Sequence, residues 1–320
     1  MNKKLGYSIA FALALVAPFI GYPVLLMKLL CFALFACAFN LLIGFTGLLS
    51  FGHAAFFGTA GYVAGNALKH WGLPFELSLL VAVLSGAMIG LVMGGLAIRR
   101  QGIYFSMITL ALAQMVYFGA LRFTDFTGGE DGLQGIPRGK LLGLLDLGSD
   151  LAMYYVVLGI FIAGFALIVR TVHSPFGQVL KAIKENEPRA ISLGYDVDKY
   201  KLTAFVLSGS LAALAGATKS VVLGFETLTD VHWAMSGMVI LMTLVGGMGT
   251  LAGPVIGAIL IISLENKLGD FGAMMANATG IEWFTSLGEA VSLVTGLIFV
   301  TCVLLFRRGI VGEIVARTKG

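Results

Sequence analysis

Long apolar stretches dominate this chain, and its charged residues are too few to cover the surface of a soluble protein. Hydrophobic residues make up 58% of the 320 positions and charged residues 12%, with a mean hydropathy of +0.94. A typical soluble domain carries roughly 25% charged residues. Lipid must therefore be the solvent for most of the chain, and the composition predicts a polytopic membrane protein.

The apolar stretches predict helices rather than strands. The 43 glycines and seven prolines fit helices packed closely through small residues, whereas a β-barrel would show alternating strands separated by turns. Because roughly 20 apolar residues cross a bilayer, the sequence predicts an all-α fold with about ten membrane segments. These lie at about Leu5–Tyr22, Pro23–Leu42, Ala54–Leu68, Phe75–Ile98, Ile103–Leu121, Leu151–Val169, Leu202–Leu223, Trp233–Val245, Val255–Leu264 and Trp283–Phe306.

The placement of Lys and Arg predicts an orientation. Fourteen of the 21 basic residues fall on one side when both termini are placed in the cytoplasm, and cytoplasmic ends of membrane proteins carry such an excess. The sequence therefore predicts an N-in, C-in protein with a cytoplasmic loop at residues 171–201 and an outer loop at residues 122–150. No segment is long enough for a separate soluble domain, so residues 1–320 are predicted to form a single transmembrane domain.

Two glycine-rich breaks interrupt the apolar pattern, GFTGLLSFGH at Gly44–His53 and GGMGTLAGP at Gly246–Pro254. Irregular backbone in a membrane requires protein or a water-filled cavity to satisfy its polar groups, and broken helices commonly form transport sites. We interpret the breaks as two broken-helix pairs, each flanked by short segments. They predict a translocation path lined by Asn40, Thr46, Ser50, His53, Thr243, Gly247 and Gly249. For the three polar residues of the first break, a packed hydrogen-bonding role is the alternative.

The sequence contains partial matches to motifs of cofactor-binding proteins, but the residues around them do not fit such sites. Residues Gly247–Ala252 match the dinucleotide pattern G-x-G-x-x-A, yet the flanks are membrane-like and Pro254 interrupts the required helix. Residues Gly209–Ser220 lack the glycine that a P-loop places before its lysine, and the four histidines have no metal-ligand spacing. The sequence predicts a non-catalytic protein without cofactor or metal, and without a basic stripe it predicts no nucleic-acid partner.

Ionisable groups within the apolar stretches are scarce. Glu289 is the best candidate for an intramembrane acid, with an interfacial position as the alternative. Lys219 is assigned to the outer end of its segment. Without a chain of buried acids, the sequence gives little support to a proton relay.

A polar segment, Arg170–Lys201, separates two apolar stretches and predicts a pair of short helices. Ser174–Pro175 is typical of a helix start. Asn186–Pro188 is expected to end this first helix and begin a second one. Gly194 is suited to the left-handed position that follows a helix end. The segment therefore predicts a bounded helix of about two turns over Glu187–Gly194.

The composition of this second helix distinguishes two interpretations of the polar segment. A solvated hairpin has no need of Ala190, Ile191 and Leu193 close together. A helix that enters a groove of a partner protein does need such apolar residues. The pattern favours a docking surface.

Several collinear motifs make the chain resemble a known family. They are NLLIGFTGLLSFGHAAFFGTAGY at Asn40–Tyr62, RRQGIYFSMITLALAQ at Arg99–Gln114, TGGEDGLQGIP at Thr127–Pro137, SPFGQVLKAIKENEPRAISLGYDVDKYK at Ser174–Lys201, LVGGMGTLAGPVIGA at Leu244–Ala258 and FRRGIVG at Phe306–Gly312. With these motifs the chain resembles the M-type permease subunits of the ATP-binding-cassette (ABC) transporters for branched-chain amino acids.

The resemblance implies a function and a set of partners. The chain would translocate branched-chain, hydrophobic amino acids across the bacterial inner membrane, with ATP hydrolysed by separate subunits. The implied partners are a second homologous permease subunit, two cytoplasmic ATPase subunits, a periplasmic substrate-binding protein and membrane lipid. Relatives with urea, amide or aromatic-acid substrates have similar motifs, so these substrates remain alternatives. An ion-coupled secondary carrier is the alternative from another class.

The resemblance also implies that the helix predicted at Glu187–Gly194 is the coupling helix that docks on an ATPase. The match of ENEPRAISLG transfers this role to Glu187, Ala190 and Gly194. The predicted helix geometry adds Pro188 and Ile191 to the ATPase-coupling residues.

Overall fold

The structure is a computed structural model that describes residues 12–19, 21–279, 294, 296, 297, 300, 301, 304 and 309–317. The described chain is predominantly helical. Its α-helices are α1 (12–19), α2 (Pro23–Phe45), α3 (His53–Lys69), α4 (Phe75–Ala97), α5 (Ile103–Arg122), α6 (Thr124–Thr127), α7 (Asp150–His173), α8 (Pro175–Glu185), α9 (Glu187–Ser192), α10 (Val197–Leu223), α11 (Leu228–Val231), α12 (Trp233–Gly246), α13 (Gly253–Thr279) and α14 (Gly309–Arg317).

Short strands and one 3-10 helix lie between the helices. The 3-10 helix is Gly129–Asp131, and the strands are β1 (Leu133–Gln134), β2 (Lys140–Leu141), β3 (Leu145–Asp146) and β4 (Phe225–Glu226). Strand β1 pairs antiparallel with β4, and β2 with β3. The β1–β4 pair joins the loop after α5 to the end of α10.

Five helices of the described part are long and apolar enough to cross a membrane, namely α2, α4, α5, α7 and α10. The predicted all-α polytopic membrane fold is confirmed. The count of about ten segments and the N-in, C-in orientation remain predictions. Residues 5–11 and 20 of the predicted segment Leu5–Tyr22 and most of Trp283–Phe306 lie outside the described residues, as does Glu289.

Helices α2 and α10 form the buried centre of the bundle. In each of these two helices, 72% of the most apolar stretch of 18 residues is buried inside the protein, against 22% in α5. Both pack against each other and, with α3, make up much of the core. Helix α2 is apolar on every side, as a helix buried among other helices requires. Helices α4, α5 and α7 instead expose large apolar side chains, which suits a surface in lipid or against another subunit.

The two predicted breaks are confirmed as non-helical segments, at residues 46–52 between α2 and α3 and at residues 247–252 between α12 and α13. Both lie at one end of the bundle with α8 and α9, which we term the α9 end. The opposite end, with α6, α11 and the four strands, is termed the α11 end. The predicted short segment Val255–Leu264 is wrong, because α13 continues without interruption to Thr279. The polar residues that follow Leu264 lie inside the helix rather than at its end.

Gly216 permits the close approach of α10 to α3. A Cβ atom at this position would lie 1.9 Å from the carbonyl oxygen of Phe57. We expect Gly216→Ala to lower the free energy of unfolding by about 1–3 kcal/mol, because the two helix backbones must move apart. Denaturant titration in mixed micelles measures this change.

Gly95→Ala is the matched control for this prediction. Gly95 lies on α4, and a Cβ there meets no atom within 4 Å. Alanine favours helix over glycine by about 1 kcal/mol, so this variant is expected to unfold at equal or higher denaturant concentration. Equal stability of Gly216→Ala and Gly95→Ala would contradict the proposed close packing.

Candidate functional site

Helices α8 and α9 form a hairpin whose starts are fixed by local hydrogen bonds. The side chain of Ser174 accepts a hydrogen bond from the backbone N–H of Gly177 at the start of α8. At the start of α9, Asn186 Oδ1 accepts from the N–H of Arg189 at 3.0 Å. Pro188 occupies the first turn of α9, where a missing N–H costs nothing. The predicted helix starts are confirmed.

The last helical residue of α9 is Ser192, two residues before Gly194. Gly194 closes the helix in the left-handed position that the sequence predicts. Gly194 has φ +88° and donates its N–H to Ile191, while Tyr195 donates to Ala190. These are the two hydrogen bonds of a Schellman motif, in which the left-handed residue lies outside the helix. Gly194 therefore serves to turn the chain away from the end of α9.

The apolar residues of α9 divide between two surfaces. Ala190 is buried and packs with Ile183 of α8 and Val197 of α10. Ile191 and Leu193 point outward, with exposed fractions of 56% and 68%. Since both are large apolar side chains beside each other, they form an exposed patch on the α9 end of the molecule.

Glu187 points inward and joins α9 to the bundle. Its Oε1 lies 2.6 Å from Nζ of Lys201, whose side chain is 3% exposed. The same oxygen accepts a hydrogen bond from Gln101 Nε2 at 2.9 Å. Glu187 thus connects α9 to α10 and to the turn between α4 and α5.

Helix α8 contacts the first break directly. Lys184 Nζ donates to the carbonyl oxygen of Gly44 at 2.7 Å, and the side chain of Lys184 covers Gly47. Lys181 Nζ lies 5.8 Å from the ring centroid of Phe45. A displacement of the α8–α9 hairpin would therefore act on the end of α2.

Asn40 joins α2 to the second break. Its Nδ2 donates to the carbonyl oxygen of Thr250 at 2.8 Å, and its Oδ1 accepts from the N–H of Gly249 at 2.9 Å. Gly247, with φ +125°, lies next to Gly309 of α14. Thr243 Oγ1 donates to its own helix, at the carbonyl of Val239. The structure thus brings Asn40 and Gly249 together, while the translocation path itself remains a prediction.

His53 lies in a buried hydrogen-bonded chain between α3, α10 and α2. Ser208 Oγ donates to the carbonyl oxygen of Ala38 at 2.6 Å. Because a serine hydroxyl has one proton, Ser208 must accept from the Nε2–H of His53, 2.9 Å away. His53 Nδ1 has no hydrogen-bond partner among the described residues.

The other polar residues of the first break are also buried and bonded to nearby backbone. Ser50 Oγ accepts from the N–H of Gly52, and Thr46 Oγ1 donates to the carbonyl of Leu41. These contacts match the packed, hydrogen-bonded alternative for Thr46, Ser50 and His53. Their place on a translocation path remains a prediction.

A buried ionic cluster at the α11 end was missed by the sequence analysis. Lys219 Nζ lies 3.2 Å from Glu226 Oε2 and 2.5 Å from Asp230 Oδ2. All three side chains are at most 6% exposed. Lys219 was assigned to an outer helix end; it does lie near the end of α10, but it is buried there. The available signal was the pair of acids seven and eleven residues further along the chain.

Local structure holds this cluster in place. Thr227 and Asp230 form a capping box at the start of α11, which orients the Asp230 carboxylate. The pKa of Glu226 is raised well above its usual range, first by burial and then by the nearby Asp230, although Lys219 acts in the opposite direction. With two acids and one base, the cluster contains more acidic than basic groups.

Together, the apolar membrane-crossing helices and the bounded α8–α9 hairpin define a multi-pass membrane protein with a polar hairpin at one end. Residues 24–305 match the family described as branched-chain amino acid transport system / permease component. The chain belongs to this permease family, and the family resemblance inferred from the motifs is confirmed.

Individual relatives are also permease proteins of transport or import systems. The chain is 28% identical over 254 residues to the high-affinity branched-chain amino acid transport system permease protein LivM of Escherichia coli, covering 72% of this chain and 60% of that protein. It is 26% identical over 282 residues to the probable branched-chain amino acid transport permease protein LivH of Methanocaldococcus jannaschii, covering 83% and 84%. The autoinducer 2 import system permease protein LsrC of Klebsiella pneumoniae is 30% identical over 199 residues, covering 59% and 53%.

Proposed function

We propose that this chain is the permease subunit of an ABC importer that carries branched-chain amino acids across the bacterial inner membrane. The match of residues 24–305 to the permease family is the observation that carries the proposal. Relatives named for branched-chain amino acids favour this substrate class over urea, amides or aromatic acids. The permease does no chemistry, and ATP is hydrolysed by separate subunits.

The proposed assembly contains a second homologous permease, two cytoplasmic ATPase subunits and a periplasmic substrate-binding protein. With both termini in the cytoplasm, the α9 end faces the ATPases and the α11 end faces the binding protein. Residues 1–320 then form one transmembrane domain, with residues 171–201 as the coupling loop and residues 122–150 as the outer loop. The excess of Lys and Arg on the α9 side supports this orientation.

In this proposal the exposed patch of α9 docks on an ATPase. Ile191 and Leu193 would enter a groove of that subunit, since large exposed apolar side chains suit helix-in-groove recognition. Ala190 and Glu187 face the permease and hold α9 in position, and Pro188 bounds its first turn. A rigid-body shift of α9 on ATP binding would reach α10 through Lys201 and α2 through Lys184.

The translocation path is proposed to pass beside the two breaks. The hydrogen bonds of Asn40 link α2 to the second break, and Lys184 links α8 to the first. Movement of the hairpin would therefore change the packing around Thr46, Ser50, His53, Thr243, Gly247 and Gly249. This coupling supports a role for the breaks in opening and closing the path.

Uptake by the reconstituted complex of both permeases, the two ATPase subunits and the binding protein tests the proposal. We expect radiolabelled leucine to enter proteoliposomes only when ATP is present on the ATPase side, and unlabelled isoleucine and valine to compete with it. If urea or aromatic acids competed effectively and valine did not, the substrate would belong to one of those classes rather than to the branched-chain amino acids. Uptake without ATP would contradict the importer.

The buried Lys219–Glu226–Asp230 cluster is the observation that favours a second candidate, an ion-coupled carrier. Such a carrier would accumulate leucine in response to a proton or sodium gradient across the vesicle membrane, with the permease alone and no ATPase present. The same proteoliposomes therefore distinguish the two functions.

Replacement of Leu193 by Asp tests the docking patch. A charge on this exposed side chain would have to be buried in the groove of the ATPase, at a cost of several kcal/mol. We expect the ATPase subunits to be lost on purification of the complex, while the amount of permease in the membrane stays unchanged.

Leu144→Asp is the matched control. Leu144 is also an exposed leucine, but it lies between β2 and β3 at the α11 end. The same change there is expected to leave the ATPases bound. Normal retention of the ATPases by Leu193→Asp would overturn the docking assignment.

A further inference from the structure

The hairpin formed by β2 and β3 presents three exposed leucines. Leu142, Leu144 and Leu145 have exposed fractions of 75%, 88% and 56%, and they lie next to one another around the turn. We term these three residues the leucine tip. Single apolar residues on a protein surface are common, whereas a contiguous group of large ones marks a surface that contacts something other than water.

The backbone of the turn suits polar residues better than leucine. Leu142 and Gly143 have φ values of +50° and +71°, and the N–H of Leu144 donates to the carbonyl oxygen of Leu141 at 3.0 Å. Two successive positive φ values are typical of a type I′ turn, in which Asn-Gly and Asp-Gly are preferred. A leucine with positive φ is unfavourable, so its presence here indicates a contact that outweighs the strain.

The base of the hairpin is fixed to the bundle. Leu147 is fully buried, and its N–H donates to the carbonyl oxygen of Gly139 at 3.3 Å. Arg138 Nη1 lies 2.6 Å from Asp150 Oδ1 at the start of α7, and Arg138 Nη2 donates to the carbonyl oxygen of Val222 near the end of α10. The leucine tip therefore projects from a fixed base and is not the end of a loose loop.

The leucine tip lies beside the exposed face of α4. The N–H of Leu142 donates to the Glu76 carboxylate in the first turn of α4. Leu80 and Leu84 follow Glu76 at intervals of four residues, so they lie on its side of the helix, and both are exposed. The tip thus continues the apolar surface of a helix that is long and apolar enough to cross a membrane.

Lipid suits this face of α4 better than another protein does. Membrane helices associate through small residues and interhelical hydrogen bonds. Gly86, Gly90 and Gly94 already face α10, because a Cβ atom at each of them would meet atoms of that helix. The hydroxyls of Ser78 and Ser85 donate to nearby backbone carbonyl oxygens. Beyond its first turn, the outward face of α4 therefore offers large apolar side chains without a free polar group, as a surface in lipid does.

Trp71 marks the level of the membrane boundary at this end. It is exposed in the turn between α3 and α4, and tryptophan is enriched where a membrane meets water. Glu76, which holds Leu142, follows Trp71 by five residues. The leucine tip therefore lies near the same boundary.

We propose that the β2–β3 hairpin is an interfacial membrane anchor whose leucine tip inserts into the phospholipid leaflet beside α4. Lipid contact removes the three leucine side chains from water and accounts for the strained leucine in the turn. Through Arg138, the anchor joins the ends of α7 and α10 to the membrane surface. The α11 end would then keep its depth while the α8–α9 hairpin moves. The anchor goes beyond the proposed function and does not depend on the substrate.

The accessibility of a spin label measures the depth of the tip. A nitroxide is attached at Leu144→Cys in a chain whose Cys31, Cys37 and Cys302 are replaced by alanine. The complex of both permeases and the ATPase subunits is placed in nanodiscs of phosphatidylethanolamine and phosphatidylglycerol. Oxygen concentrates in lipid, a nickel chelate stays in water, and a label covered by protein meets neither. We expect the label to lie about 5–10 Å into the boundary between headgroups and acyl chains, reached by oxygen and protected from the chelate.

Two further labels calibrate this measurement. Leu84→Cys lies on the exposed face of α4 and is expected to be deeper than the tip, whereas Asp131→Cys is exposed in the same loop as the hairpin and is expected to meet the chelate. A tip label as accessible to the chelate as the Asp131→Cys label would overturn the anchor. A tip label reached by neither reagent would place the second permease over the tip and would overturn it too. Protection that appears only when the binding protein is added would assign the tip to that protein instead.

Replacement of Leu142 separates lipid contact from the demands of the turn. Leu142→Asn gives the turn a residue that its positive φ favours, but it removes an apolar side chain from the tip. We expect the label at position 144 to shift towards water in this variant, with higher accessibility to the chelate. Leu142→Met keeps an apolar side chain and is the matched control, expected to leave the depth unchanged. Equal label depths in the two variants would contradict the anchor.

Discussion

Replacement of Lys201 by Met is expected to lower ATP-driven leucine uptake by about a hundredfold while the ATPases remain bound. Lys201 is buried, and its ammonium group lies 2.6 Å from the Glu187 carboxylate. Removing one partner of a buried ion pair costs about 3–5 kcal/mol, chiefly because the other charge is left uncompensated. Helix α9 would then lose its ionic contact with α10, although its exposed patch would still dock.

The measurement compares ATP hydrolysis with uptake in the same proteoliposomes. We expect hydrolysis to continue without matching transport, because the movement of α9 no longer reaches α10. Exchange of the two residues, Glu187→Lys with Lys201→Glu, restores the opposite charges and is expected to recover part of the uptake. A loss caused only by misfolding would reduce hydrolysis and membrane level together.

Replacement of Lys199 by Met provides the control. Lys199 is also paired with a carboxylate, that of Asp196 at 2.8 Å, but its side chain is 82% exposed. Exposed ion pairs contribute little to stability, so Lys199→Met is expected to leave uptake unchanged. Full uptake by Lys201→Met would show that the Glu187–Lys201 contact transmits nothing.

The start and end of α9 could be predicted because they depend on neighbouring residues. Asn186 and Pro188 act within one turn of the helix start, and Gly194 acts within one turn of its end. Gly194 has the left-handed conformation predicted for the residue that closes the helix. The helical residues themselves end at Ser192, because the left-handed residue lies beyond the end of a helix.

Hydropathy alone misplaced the end of α13. The prediction stopped at Leu264, because Glu265, Asn266 and Lys267 follow it. None of these residues breaks a helix, and glutamate and lysine favour one. Hydropathy therefore identified the end of the apolar stretch, whereas the helix itself continues to Thr279.

Contacts between distant residues could not be predicted. Asn40 bonds to residues about 210 positions away in the chain, and nothing in its own neighbourhood specifies them. The burial of Lys219 was missed for the same kind of reason. Lysines at helix ends usually extend into the interface, and only the fold of β4 and α11 over α10 encloses this one.

Replacement of Lys219 by Met is expected to lower the free energy of unfolding by about 3–5 kcal/mol. Its ammonium group is bonded to both Glu226 and Asp230, and all three side chains are buried. Methionine has a similar length and fills the same space, so the expected loss arises from the two uncompensated acids rather than from a cavity. Denaturant titration in mixed micelles measures the change, with Lys199→Met as an exposed control that leaves the midpoint in place.

Removing the charges of both acids as well tests whether unpaired buried charge causes this loss of stability. In the triple variant Lys219→Met, Glu226→Gln, Asp230→Asn, no buried charge is left unpaired, so most of the lost stability is expected to return. A triple variant as unstable as Lys219→Met would show that the lost stability has a cause other than unpaired buried charge.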